Sequence, residues 1–381
     1  MIVNFKKINY LIIITFLSIL GFLIIDLLIS EFTNLFHIRK NCYNYYKINQ
    51  NNNNYYSYDL SKNCFAFEHK GKTPSYNVYT NEQGYRIGKT KNKKRDKKIL
   101  FLGDSFTYGF GVDYEYSIPG QFAKKLDNSY EIINLALTGY SPSMNLFKLK
   151  EYLNKNSSKE IKKVFYILDI TDVHDEANRW TDLEGLDRPV LLDKKVENEI
   201  EKTFELKEKF RSTRLLAYII NKNLRNFKKS VRKFFYDSTN EIEPGTYWGK
   251  FTHTPTKKLK QDEQYQKLWL NDERFGLRKI EKKILEISKL LSNENIDFYI
   301  VIHPWRETIE LGQDEFNWEK YAENLCLKTK CKKLINFFDE VRLLQNSQSD
   351  WKEKMYFRLD LHHTKYGNTL YTNHIFKESF K

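Results

Sequence analysis

KILFLGDSFTYG, residues Lys98–Gly109, is the stretch of sequence that decides the fold. Its first half is a short apolar run of the kind that forms a buried strand, and Gly103 ends that run. Ser105 follows on the turn that enters the next element. A serine on such a turn is exposed at the edge of a sheet, where its Oγ can act as a nucleophile and its N–H as an oxyanion donor. Taken alone, the stretch fits equally well a plain strand-to-helix turn in which Asp104 or Ser105 caps the helix.

Further along the chain, short apolar segments alternate with helical patterns. The predicted strands are Ile99–Gly103, Glu131–Leu135, Val164–Asp169, Asp297–Ile302 and Lys333–Phe337, and the predicted helices include Met144–Asn154, Arg278–Leu291, Trp318–Thr329 and Lys365–Lys381. Apolar strands that alternate with helices indicate a parallel sheet covered on both faces. We therefore predict an α/β domain over residues 76–381: a three-layer α/β/α sandwich with a five-stranded parallel, flavodoxin-like sheet. Its functional residues should lie at the carboxyl ends of the strands.

The alternation breaks between about residues 177 and 271. Part of this stretch, LKEKFRSTRLLAYIINKNLRNFKKSVRKFFY, has helical periodicity and a basic face, which predicts a helical insertion. The insertion can form a lid over the site, a solvated amphipathic surface element, or a face that touches an anionic membrane surface.

The segment Tyr10–Ile29 carries a single charge, Asp26, and matches the ~20 residues that a helix needs to cross a bilayer. Lys6 and Lys7 precede it, which by the positive-inside rule keeps the N-terminus in the cytoplasm. No small-residue cleavage site follows, so a removed signal peptide is disfavoured; a buried core helix is the other alternative. The sequence predicts a cytoplasmic tail at 1–9, a transmembrane signal anchor at 10–30, a stalk or linker at 31–75, and a periplasmic or extracellular remainder.

The four cysteines fall into two local pairs, Cys42 with Cys64 and Cys326 with Cys331. None of them has the C-x-x-C spacing of a zinc ribbon or a thioredoxin-type site. Two disulfides in an oxidising compartment agree with export of the domain, and four free thiols are the alternative.

The net charge is strongly positive, because Lys+Arg number 63 against 49 Asp+Glu, a formal charge of +14. Lys, Asn, Ile, Tyr and Phe are abundant while Ala and Gly are few, a bias typical of an AT-rich coding sequence. We therefore interpret the charge as composition and solubility and predict no nucleic-acid partner. With 41% hydrophobic residues, 15 Gly and 7 Pro, collagen-like and Pro/Gly-rich disordered chains are excluded.

A second chemical motif, DLHHTKYG, lies just before the predicted terminal helix and begins at Asp360. In an extended segment the side chains at i and i+2 share a face. Asp360 can therefore hold one nitrogen of His362 while the other nitrogen activates Ser105, the arrangement of a serine-hydrolase triad. His363 is adjacent and competes for the same role.

With these two motifs the chain resembles the SGNH/GDSL hydrolase family, in particular a bacterial membrane-anchored branch in which the run GDSFTYGFGV is typical. The resemblance covers about residue 76 to the C-terminus except the insertion. It implies that Ser105, Asp360 and His362 are catalytic, since the spacing H-x-x-x-x-G of the last block is met by His362 and Gly367. It also implies that the N–H groups of Ser105 and Gly139, the latter in the second block NLALTGYS, form the oxyanion hole. No cofactor and no metal are expected.

The third block departs from the family pattern G-x-N-D, because Thr171 stands where the asparagine donates to the oxyanion. Either the shorter threonine hydroxyl replaces that donor, or another residue completes the hole, or activity is weak. A further strand ends in His303-Pro304-Trp305 at the same sheet edge. These two rings are candidates for substrate binding, Trp305 as a sugar-stacking platform and His303 as a pocket wall, or they pack in the interior.

The resemblance and the anchor together predict an extracytoplasmic serine esterase that hydrolyses ester groups, O-acetyl groups on cell-surface polysaccharide being the leading substrate class. The expected partners are an acylated carbohydrate or another ester and the membrane that holds the N-terminal helix. An O-acyltransferase that uses the same serine is one alternative, and a non-catalytic glycan-assembly or binding protein with the same fold is another. The oligomeric state is left open.

Overall fold

A computed structural model describes residues 41–68, 73–89, 94–126, 129–192, 273–314, 316–358, 360 and 362–380, together with 13–22, 24–25 and 28 near the N-terminus. Most of the predicted insertion, from 193 to 272, lies outside the described residues, so its role as a lid or surface element stays a prediction. The predicted tail at 1–9 lies outside them as well.

The element bounds follow the chain. The strands are β1 (Tyr43–Gln50), β2 (Asn53–Leu60), β3 (Phe65–Glu68), β4 (Tyr76–Thr80), β5 (Arg86–Ile87), β6 (Lys98–Leu102), β7 (Glu131–Asn134), β8 (Ile161–Leu168), β9 (Trp180–Thr181), β10 (Val190–Leu191), β11 (Asp297–Ile302) and β12 (Lys333–Asn336). The α-helices are α1 (Ser105–Tyr108), α2 (Ile118–Lys125), α3 (Pro142–Lys155), α4 (Asp172–Asn178), α5 (Glu273–Asn293), α6 (Arg306–Leu311), α7 (Trp318–Thr329), α8 (Phe338–Ser347), α9 (Trp351–Met355) and α10 (Lys365–Ser379). Short 3₁₀ turns cover Tyr114–Tyr116 and Ser158–Glu160.

Five strands form the central sheet in the order β12-β11-β8-β6-β7, and every neighbouring pair is parallel. Numbered by their appearance in this sheet, the strands run 2-1-3-4-5, the flavodoxin-like order, which confirms the predicted topology. The chain leaves β6 first toward β7 and then crosses to β8 on the other side. The crevice at this reversal, beyond the carboxyl end of β6, is where doubly wound sheets bind ligands.

Side chains of the sheet are buried on both faces, as the continuous apolar runs predict. Along β6, Leu100 and Leu102 face one core and Ile99 and Phe101 face the other. The first core is covered by α3, α5 and α7, through residues that include Leu149, Ile284 and Leu325. The second is covered by α2, α8 and α10, through residues that include Phe122, Val341 and Ile375. The predicted three-layer sandwich is therefore present.

The predicted stalk at 31–75 is wrong for its described part. Residues Tyr43–Leu60 form an antiparallel hairpin, and Asn51 and Asn52, both at positive φ, make the two-residue turn between its strands. The side chains of Tyr56, Tyr58 and Leu60 are at most 9% exposed. A run of tyrosine, serine and asparagine is polar in composition, but alternating tyrosines have the shape to cover a surface once the strand is paired.

Both predicted disulfides are present. Cys42 is bonded to Cys64, with Cα atoms 5.8 Å apart, and Cys326 is bonded to Cys331, with Cα atoms 5.0 Å apart. The first links the start of the hairpin to the segment that follows it. The second closes the turn after α7, where Lys330 takes the left-handed conformation that ends the helix.

Of the predicted span Tyr10–Ile29, the structure describes 13–22, 24–25 and 28, and these residues are helical. Their large apolar side chains are exposed, those of Phe16 and Leu17 by more than half. Within the described part of the chain, no helix has both the length and the apolar character needed to cross a membrane.

Candidate active site

The serine turn is built by a backbone that only glycine accommodates. Gly103 ends β6 at φ +148°, and a Cβ there would lie 2.2 Å from Oγ1 of Thr107 and 3.0 Å from the carbonyl oxygen of Ile167. The chain turns directly into α1, whose first residue is Ser105. Asp104 caps this helix, accepting a hydrogen bond from the Phe106 N–H at 2.9 Å. Ser105 is thereby presented at the carboxyl edge of the sheet.

His362 meets Ser105 there. Its Nε2 lies 2.7 Å from Ser105 Oγ, and its Nδ1 is in hydrogen-bond contact with Asp360 Oδ1. The structure therefore brings together the three residues that the sequence placed in one triad. Ser105 and His362 are 257 positions apart in the chain. A hydroxyl, an imidazole and a carboxylate linked in this order can move a proton from the serine to the histidine.

The backbone around His362 is held in place by antiparallel pairing with the end of α9. The Phe357 N–H donates to the His362 carbonyl, and the Thr364 N–H donates to the Met355 carbonyl, both at 2.9 Å. The rings of Phe106 and Phe110 flank the imidazole, with centroids 4.7 and 4.6 Å away. The histidine is thus fixed by its neighbours before any substrate arrives.

His363 points the other way, into the core. It is 1% exposed, and its ring packs on Phe106 and on His303 with centroid distances of 4.9 and 5.1 Å. Burial, together with the nearby His303 and His362, holds the pKa of the His363 imidazole well below its ordinary value. Of the two adjacent histidines, His362 is the one that reaches the serine.

The Ser105 hydroxyl also lies near a carboxylate, because its Oγ is 3.4 Å from Oδ2 of Asp104. Burial, and then the charge of Asp169, raises the pKa of Asp104 well above its usual range.

Gly139 lies in the turn that follows β7, the strand next to β6. It has a φ of +74°, and a Cβ there would lie 2.4 Å from Nη1 of Arg179 and 2.7 Å from the Tyr58 hydroxyl. Because parallel neighbours end at one edge of a sheet, this turn starts beside the Ser105 turn. The backbone N–H of Gly139 remains the candidate second donor to the oxyanion.

Thr171 does not replace the asparagine of the family pattern in the way the sequence suggested. Its hydroxyl and its N–H both donate to Oδ1 of Asp169, the N–H at 2.7 Å. Asp169 stands two positions earlier, where the pattern has glycine. The hydroxyl that was expected to serve the oxyanion is engaged with a carboxylate of its own loop.

Asp169 is a residue of the site that the sequence analysis missed. It is fully buried at the end of β8, and its Oδ2 accepts a hydrogen bond from Nε1 of Trp305 at 2.7 Å and lies 3.1 Å from Nε2 of His303. Burial alone would raise the pKa of Asp169, but the contacts with His303, Thr171 and Trp305 outweigh it and hold the pKa below its ordinary value. An aspartate that ends a strand at the active edge was the signal available in the sequence.

The proposed sugar platform is wrong for Trp305. This ring is 7% exposed and His303 is 1% exposed, and both pack against Phe106, with centroids 5.9 and 4.2 Å away. Of the two alternatives that the sequence left open, the interior position is the one observed. Both side chains support the serine helix from below instead of facing a ligand.

Thr171→Val should leave most of the activity in place. Losing one oxyanion donor typically lowers kcat by about 10²–10³, whereas we expect a fall of less than about 10-fold here, because the hydroxyl bonds to Asp169. The measurement is kcat and KM of Thr171→Val and Thr171→Ser on one aryl ester. A loss of 10²-fold or more in the valine variant alone would show that the hydroxyl turns to the substrate during the reaction.

No family model and no curated protein matches the chain by sequence. Solved structures do match. An acetyl xylan esterase, AlAXEase, is 12% identical with a TM-score of 0.38, over 74% of this chain and 99% of its own. A member of the lipolytic protein G-D-S-L family from Veillonella parvula is 11% identical with a TM-score of 0.40, over 75% and 99%. AlinE4, an SGNH-hydrolase family esterase, is 13% identical with a TM-score of 0.33, over 65% and 80%.

Proposed function

We propose that this chain is a serine esterase of the SGNH/GDSL type. The observation that carries the proposal is the contact of 2.7 Å between His362 Nε2 and Ser105 Oγ, with Asp360 on the other nitrogen of the imidazole. Hydrogen-bonded side chains of these three types, at the carboxyl edge of a doubly wound sheet, form a nucleophile with its base and the group that orients the base.

The chemistry proceeds in two halves. Ser105 Oγ attacks the ester carbonyl while His362 Nε2 takes the hydroxyl proton, and the N–H groups of Ser105 and Gly139 stabilise the oxyanion. The tetrahedral intermediate collapses as His362 returns the proton to the leaving alcohol, which leaves an acyl group on Ser105. A water then gives its proton to His362 and attacks the acyl carbon. The bond from the acyl carbon to Ser105 Oγ breaks, His362 returns the proton to Oγ, and the acid is released. Asp360 stabilises the imidazolium that forms in each half.

We propose further that the enzyme is anchored by residues 10–30, with the domain outside the cytoplasm. Exposed apolar side chains on the described helical residues 13–22 and two disulfides in the domain both favour this location. An anchored enzyme that faces outward meets acylated polysaccharide, so O-acetyl groups on cell-surface glycan are the substrate that we propose. A reporter enzyme fused after Lys381 should be active only outside the cytoplasm; activity only inside would overturn the orientation.

Hydrolysis of an aryl acetate by the full-length protein in detergent, with Ser105→Ala as the matched control, tests the esterase. Turnover by the wild type and not by the variant is the expected result. If both are inactive, and a fluorophosphonate probe leaves Ser105 unlabelled, the chain is a non-catalytic glycan-assembly or binding protein. An acyltransferase would instead label with the probe but release little acetate until a sugar acceptor is added.

A further inference from the structure

The backbone amide of Gly139, the candidate second donor to the oxyanion, is contacted at its carbonyl end. The N–H of Gly139 and the carbonyl of Thr138 belong to one peptide group, which is planar and trans, so the N–H and C=O bonds point in opposite directions. The hydroxyl of Tyr58 donates to that Thr138 carbonyl at 2.9 Å. A bond to the carbonyl therefore fixes the direction in which the N–H points.

The next peptide is held as well. The indole Nε1 of Trp180 donates to the Gly139 carbonyl at 2.8 Å. The rings of Tyr58 and Trp180 pack on each other with centroids 5.2 Å apart. A glycine at φ +74° has low barriers to rotating its flanking peptides, and here both peptides are fixed by side chains that lie outside the sheet.

Tyr58 is itself firmly placed. Cys42 and Cys64 close the hairpin that carries it, and the neighbouring Asp59 forms a buried ion pair of 2.6 Å with Lys148 of α3. The hydroxyl stays a donor at every physiological pH, because burial raises the pKa of Tyr58 far above its ordinary value. The hairpin thus connects the N-terminal part of the domain to the turn beside the nucleophile.

We propose that Tyr58 is a positioning residue of the esterase, aiming and polarising the Gly139 N–H through its hydrogen bond to the Thr138 carbonyl. The inference rests on the proposed function, since it needs Gly139 to serve the oxyanion. A carbonyl that accepts a hydrogen bond strengthens the N–H of the same amide as a donor. The gain appears when negative charge develops on the substrate oxygen, so Tyr58 acts on the transition state and little on ground-state binding.

The test compares Tyr58→Phe with Tyr55→Phe. Both substitutions remove one hydroxyl from β2, and Tyr55 is partly exposed and, three positions from Tyr58 along the strand, stands on its opposite face. Tyr58→Phe should lower kcat on an aryl acetate by about 5–20-fold, less than the loss of a donor itself, with KM within about 2-fold. The rate of labelling by a fluorophosphonate should fall by the same factor, because the phosphoryl oxygen occupies the same hole. Tyr55→Phe should match the wild type in all three.

The outcomes distinguish a failure of the role proposed for Tyr58 from a failure of the proposed esterase function. If the wild type and Tyr58→Phe share one kcat and one labelling rate, Tyr58 has no positioning role while the esterase stands. If KM rises and kcat is unchanged, Tyr58 contributes to substrate binding and the inference is overturned. If the wild type neither turns over ester nor takes the label, the proposed function and this inference fall together. Trp180→Phe, which removes the other donor, should show the same split between kcat and KM in its folded fraction.

Discussion

Ser105→Ala and His362→Ala should each lower kcat/KM on an aryl ester by at least about 10³-fold, because each removes a partner of one proton-transfer unit. The double variant should be scarcely worse than either single one, since triad members act together. Asp360→Asn should cost up to about 10⁴-fold in kcat, because an amide at that position favours the imidazole tautomer that cannot accept the serine proton. Two measurements test these effects: steady-state kinetics on the aryl ester, and the loss of fluorophosphonate labelling at Ser105.

His363→Ala is the contrasting variant. Its imidazole is buried against Phe106 and His303, so the change opens a cavity and lowers the free energy of unfolding, by roughly 2–4 kcal/mol on the scale of core truncations. The remaining folded protein should keep most of its kcat. His362→Ala, at 17% side-chain exposure, should change stability far less. Loss of kcat in folded His363→Ala, with activity retained in His362→Ala, would reverse the assignment of the two histidines.

The sheet and the triad were predictable because their signals are local. A buried strand is recognisable from a short apolar run such as the ILFL of β6, and the alternation of strands and helices leaves few possible topologies. The pair Asp360 and His362 is two residues apart, and Ser105 stands at a strand end, so each motif specifies its own geometry. Only their meeting needs the fold, and the carboxyl edge of a parallel sheet provides it.

What the sequence did not reveal depends on partners far along the chain. The hydroxyl of Thr171 forms a hydrogen bond because the residue two positions earlier, Asp169, is a carboxylate. Asp169 is ionised because Trp305 and His303, which follow β11, contact its carboxylate. The hairpin β1–β2 reads as a polar linker until Tyr58 is set against the Gly139 turn, 80 residues away. Composition describes a segment by itself, whereas burial is a property of the segment and what covers it.

Asp169→Ala should produce the largest loss of stability of any substitution at the site. Removing one member of a buried, hydrogen-bonded charge cluster typically costs about 3–5 kcal/mol in the free energy of unfolding, because the other members stay buried without their partner. Here Nε1 of Trp305 and the N–H of Thr171 lose their acceptor, and the imidazole of His303 loses the carboxylate that lies 3.1 Å from its Nε2. Urea unfolding of the wild type and of Asp169→Ala at pH 7 measures the difference.

The pH dependence of that difference tests the charge itself. The folded state holds the pKa of Asp169 below its ordinary value, so the carboxylate contributes stability that is complete above the unfolded pKa of about 4. This contribution is lost as the pH falls through the still lower folded pKa. Carboxyl groups far from Asp169 titrate alike in both proteins and cancel, and making the comparison in an Asp104→Asn, Asp172→Asn background removes the two neighbours whose pKa the charge of Asp169 raises. The difference in the free energy of unfolding between wild type and Asp169→Ala should therefore stay constant from pH 7 to about pH 5 and become smaller below about pH 4. A gap that widens on acidification would mean that Asp169 is protonated in the folded protein, and its contacts with Trp305 and His303 would then be those of a neutral acid.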